Sequence, residues 1–89
     1  MHFSEKYRKK SWMPAVMSHL KQTGDALTYD EIIDNTVMLS VKPKKTLRQT
    51  HRCPSKKGFY NVMCHIEEVE TWKEGQFRYW RFIDYRVVL

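Results

Sequence analysis

Between Asp34 and Glu67 the chain has no acidic residue, yet it places Lys42, Lys44, Lys45, Arg48, Arg52, Lys56 and Lys57 there. Nothing inside that span can neutralise these cations, so their field calls for a counter-charge from outside, and polyphosphate is the commonest one. Glycine is scarce: there are 3, none clustered, which excludes a glycine-rich phosphate loop. The only cysteines, Cys53 and Cys64, do not make a disulfide framework, so a reducing intracellular compartment, cytoplasm or nucleus, is expected. No apolar run approaches the ~18 residues of a membrane span, so no membrane partner is expected. The N-terminal stretch 1–10 lacks the apolar segment of a signal peptide, and a chain opening on Met1 is expected to be a complete small protein.

What is present points to one small folded unit. The 89 residues suffice for a single modest core, and a hydrophobic fraction of 42% is too high for a disordered basic tail. The net charge is +6. Residues 1–10 read as a basic arm, with Lys6, Arg8, Lys9 and Lys10 against Glu5, and 11–89 as one domain. Ser11 is placed to cap a first helix with Pro14 in its opening turn and Trp12, Val16 and Leu20 on its inner face. Gly24 suits a left-handed C-terminal cap. Ala26-Leu27 reads as a brief strand. Thr28-x-x-Glu31 is a capping box opening a second helix, with Ile32, Ile33, Thr36 and Val37 facing inward and the helix fading over 38–40.

Pro43 fits the first position of a third helix running to about Cys53, where Pro54 ends it. On such a helix Lys44, Arg48 and Arg52 stack at i, i+4, i+8. The stretch after Phe59 admits two readings. Phe59, Val62, Met63, Ile66 and Val69 match a helical stripe, and they also match a strand. Folding the chain at Glu74-Gly75 favours the strand. A long hairpin pairing 59–72 with 77–88 sets Trp72 against Phe77, Glu68 against Arg81, Val69 against Trp80, Ile66 against Ile83, His65 against Asp84, Cys64 against Tyr85 and Val62 against Val87. If 59–69 is helical instead, the basic segment before it becomes a loop. Lys56, Lys57, Tyr60 and Asn61 then take over as candidate contacts.

The resulting order is helix, short strand, capped helix, basic helix and two-stranded hairpin. It is α+β and resembles a winged helix-turn-helix domain. The stretch Leu27-Thr28-Tyr29-Asp30-Glu31-Ile32-Ile33-Asp34-Asn35-Thr36 is similar to the second-helix region of winged helices such as the core of the transcription factor IIE beta subunit. The resemblance implies a non-catalytic binder of double-stranded DNA, a transcription regulator, whose third helix enters the major groove. Arg48 and Gln49 would then reach base edges, with Lys44, Lys45 and Arg52 on phosphates. Lys56 and Lys57 belong to the same basic span, and Lys73, Gln76 and Arg78 near the hairpin tip would reach the minor groove or the adjacent backbone. The chain departs from the family in the thin apolar side of its third helix and in its long hairpin.

Other constellations carry less. His51, Cys53, Cys64 and His65 form no convincing zinc set, because adjacent strand residues point to opposite faces. No cofactor, metal or catalytic group is expected. The aromatic C-terminal third serves mainly as core, and Trp80 and Phe82, if they face outward, would suit a protein contact. Two further binding classes therefore stand beside duplex DNA: an acidic protein partner such as a polymerase or host regulator, and single-stranded nucleic acid or RNA stacked on the hairpin aromatics. No heptad fixes an oligomeric state.

Overall fold

The helices form where an apolar stripe meets a cap. A computed structural model of the chain describes residues 10–38 and 43–83. Helix α1, Met13–Thr23, buries Met13, Val16 and Leu20 on one face. It stops at Gly24, whose N–H reaches the Leu20 carbonyl and whose φ of 66° turns the following chain out of the helix. Ser11 does not cap it. The cap position is Trp12, with no side-chain bond, and the Met13 N–H takes the Lys10 carbonyl at 3.0 Å. Burial of the Trp12 indole, which stacks on Phe59 at 5.6 Å, decides the point. Burying a large apolar side chain outweighs a cap bond of about 1 kcal/mol.

Strand β1, Leu27–Thr28, leads into α2, Tyr29–Asn35. The capping box is complete: the Glu31 N–H donates to Thr28 Oγ1 at 3.3 Å, and the Thr28 N–H donates to Glu31 Oε1 at 2.9 Å. Ile32 and Ile33 enter the core as expected, but the helix ends sooner than the sequence suggests. Thr36 is buried in extended conformation, and Val37 is exposed in strand β2, Val37–Met38. β-Branched residues at 36 and 37 favour that exit.

The expected helix over 43–53 is absent. Strand β3, Lys45–Thr46, pairs antiparallel with β2, and Leu47–Gln49 makes a single 3₁₀ turn. Local side chains outbid the helix. Gln49 Oε1 accepts the Thr46 N–H at 3.0 Å, and the Thr50 hydroxyl donates to the Leu47 carbonyl at 2.8 Å. Leu47 is the one fully buried residue of this turn, too little apolar surface to hold a longer helix. Lys44, Arg48 and Arg52 therefore do not share a helix face.

The third helix lies further on. Ser55 accepts the Gly58 N–H at 3.0 Å and opens α3, Lys56–Met63. A strand would send Val62 and Met63 to opposite faces, whereas the helix buries both together with Phe59. Phe59 touches three rings, Trp12, Tyr29 at 5.4 Å and Trp80 at 5.2 Å. The hairpin is correspondingly shorter, β4 Val69–Glu74 and β5 Phe77–Phe82. Its register is displaced by two residues from the expected one, with Glu70 opposite Arg81 and Trp72 opposite Tyr79. The turn sets it: Gly75 at φ 65° and Gln76 form a two-residue connection closed by Glu74 and Phe77. Glu70 supplies the cross-strand partner expected of Glu68, accepting from Arg81 Nε at 2.6 Å. Pairs assigned to 84–88, and the basic arm over 1–9, lie outside the described residues.

The three-stranded antiparallel sheet runs β1-β5-β4, with Leu27 opposite Trp80. The three helices and this sheet enclose one core. Trp80 is buried and Phe82 half-buried against that core, so neither is the outward surface envisaged for them. This layout of helices and small sheet is compatible with a winged helix.

Candidate nucleic-acid interface

Capping by Ser55 directs the first turn of α3 outward, because Phe59, Val62 and Met63 claim the inner face. Lys56, Lys57, Tyr60 and Asn61 are left exposed on the other side. The start of β5 lies against this turn. The Arg78 guanidinium sits 4.9 Å from the Tyr60 ring centroid, a cation–π contact across the two elements. Arg78 Nη1 also donates to Thr71 Oγ1 at 3.2 Å, which orients it from the strand side. Lys73 faces Arg78 across the hairpin. A groove of about 530 Å³ runs between these elements, with Lys56, Lys57, Tyr60, Gln76, Phe77 and Arg78 along it.

Two groups condition the electrostatics of this groove. Asp30 at the start of α2 lines it too. Its charge is engaged: Arg48 Nη2 holds Asp30 Oδ1 at 2.8 Å, and Arg48 Nε holds Asp34 Oδ1. The hydrogen bonds to Asp34 and then Asp30 push the Arg48 pKa further above its ordinary value. Tyr29, also in the wall, donates its hydroxyl to the Pro54 carbonyl at 2.6 Å. Burial, with Cys53 adding to it, raises its pKa and keeps the phenol neutral.

The residues expected to bind DNA thus divide. Lys56, Lys57 and Arg78 converge on the groove, and Lys73 stands beside Arg78. Lys44, Lys45, Arg48, Gln49 and Arg52 do not line it. Lys44 and Lys45 are exposed at β3, and Arg52 is exposed in the loop before α3. The Gln49 side-chain oxygen is taken by the Thr46 cap, and Arg48 turns toward α2. Acid-free sequence did not leave Arg48 unneutralised, because its carboxylates come from the preceding helix. Phe77, paired with Trp72 in the sequence reading, is exposed at the groove instead. A signal for the true third helix was present in Pro54-Ser55 followed by the stripe Phe59, Val62, Met63. Cys53 contacts its neighbouring Pro54 carbonyl and Cys64 the Asn61 carbonyl, and among the described residues no group of three or more His, Cys, Asp or Glu gathers for a metal. No described helix is long and apolar enough to cross a membrane.

No family model, no curated protein and no solved structure matches the chain.

Proposed function

We propose that the chain is a winged helix-turn-helix domain of the non-catalytic, nucleic-acid-binding class. Its particular task in this reading is to bind double-stranded DNA inside the cell as a transcription regulator. The order α1, β1, α2, α3, β4, β5 with sheet order β1-β5-β4 supports the class. The observation that carries the function is the convergence of Lys56, Lys57 and Arg78 on one groove whose acidic wall residue is already paired with Arg48. In this arrangement α3 presents Lys56, Lys57, Tyr60 and Asn61 to the duplex, and the hairpin adds Lys73, Gln76 and Arg78. Asn61 is the side chain suited to an adenine edge, and the lysines suit phosphates.

The test is equilibrium binding to a blunt duplex across a salt series. Four phosphate contacts predict a slope of about −3.6 in log K against log salt, equivalent to a loss of roughly 10²-fold between 50 and 200 mM. Absence of binding at low salt overturns the proposal. Binding with a flat salt dependence does so as well, and directs attention to an acidic protein partner.

A further inference from the structure

A phosphate backbone needs cations, but this groove also offers exposed aromatic rings. Phe77 is 52% exposed and Tyr60 41% exposed, the two large rings most open to solvent among the described residues. Both line the groove. Phe59 and Trp80, both buried, also line it and pack edge to face at 5.2 Å. Arg78 lies over Tyr60 and is tied to Thr71, so that wall is held. The volume of about 530 Å³ falls within the ~300–1,000 Å³ of small-ligand clefts.

We propose that this groove receives an unstacked nucleobase of the bound strand, so that the preferred ligand is a duplex adjoining an unpaired nucleotide. The proposal rests on the nucleic-acid reading above and specifies its ligand. A nucleotide joins the apolar face of its base, an edge of donors and acceptors, and a phosphate on the far side of its sugar. The groove supplies the matching set: the Phe77 ring for the face, the Gln76 amide for the edge, and Lys56 and Lys57 for the phosphate. A bare phosphate would leave the exposed rings unused, and an uncharged apolar ligand would leave the lysines unused.

The experiment compares three labelled ligands by fluorescence anisotropy: a blunt duplex, the duplex with one unpaired thymidine, and the duplex with one abasic nucleotide in its place. Each overhang is tried at the 3′ and the 5′ end, against the native chain and Phe77→Ala. Phe77 is exposed, so its truncation leaves the core intact. The thymidine overhang at one end is expected to bind about tenfold tighter than the blunt and abasic ligands, as one base–aromatic stack provides. Phe77→Ala is expected to abolish that difference, so that the thymidine, abasic and blunt ligands bind the variant alike. A 2-aminopurine placed at the overhang is expected to be quenched by the native chain and not by the variant. Equal affinity for thymidine and abasic overhangs overturns the proposal while leaving duplex binding standing. Failure to bind any of the three removes the duplex reading along with it. Capture of a labelled Asp/Glu-rich peptide bearing one Phe, lost in Phe77→Ala and unmatched by any base dependence, assigns the groove to a protein instead and overturns the proposal.

Discussion

Two basic stretches follow one another in this chain, 43–53 and 56–63, and the fold treats them oppositely. The first has the regular cation spacing and builds no α-helix. The second has only Lys56 and Lys57 and builds one. The difference lies in apolar anchorage. Leu47 is the sole fully buried side chain of the first stretch, whereas Phe59, Val62 and Met63 all enter the core from the second. Cations on a surface do not hold a helix in place, so charge periodicity without a buried stripe predicts little. The electrostatic fate differs as well. Arg48 is engaged by Asp30 and Asp34, while Lys56 and Lys57 line a groove with Arg78.

Substitutions can break this contrast. The largest effect is expected from Phe59→Ala, which removes a ring packed against three others and should cost about 3–5 kcal/mol in chemical denaturation. Survival of α3 at native stability in that variant would show that its anchorage lies elsewhere. Next, reversing Lys56 and Lys57 to Glu should lower duplex affinity by about 10²-fold or more at fixed salt, and reversing Lys44 and Lys45 should lower it by less than about fivefold. Equal losses would return the first stretch to the interface.

The Arg48 clamp sharpens the contrast further. Arg48→Ala frees two carboxylates, one of them in the groove wall, and should weaken duplex binding. Asp30→Asn with Asp34→Asn should restore binding in that background but change it little when Arg48 is present. Additive effects would mean that Arg48 touches the nucleic acid itself. A smaller change is expected at the cap: Ser55→Ala should cost about 1 kcal/mol and loosen the first turn of α3, read by denaturation and amide exchange. The smallest belongs to Thr36, buried with its hydroxyl unpaired among the described groups. Thr36→Val keeps the shape and removes the orphan, so stability should stay level or rise by up to ~1 kcal/mol.

Much of the scaffold was legible residue by residue. Thr28 and Glu31 sit three apart and bond reciprocally, Gly24 and Gly75 take the positive φ that their positions require, and Val16, Leu20, Ile32 and Ile33 face inward. The candidate site was legible only in part. Lys56, Lys57, Lys73 and Arg78 could be named from composition, whereas Arg48 and Gln49 were expected on a helix face that the fold does not build. Their partners, Asp34, Asp30 and the Thr46 amide, are chosen by a turn that Thr46 and Thr50 create. The hairpin register failed for a related reason. Two-residue offsets preserve which face each side chain occupies, so the apolar pattern cannot distinguish them, and the geometry of the Gly75-Gln76 turn does.

By itself, then, the sequence determined what is local: the Thr28–Glu31 capping box and the Gly24 cap, the core-facing Val16, Leu20, Ile32 and Ile33, the position of the hairpin turn, and an excess of positive charge. Tertiary structure alone decided which stripe became the third helix, because Phe59 gains its stability from Trp12, Tyr29 and Trp80, residues distant in the chain. It also decided which cations are neutralised and which are gathered. Coulomb interactions act through space, and a carboxylate 14 or 18 residues away in the chain is adjacent once α2 and the 3₁₀ turn have packed.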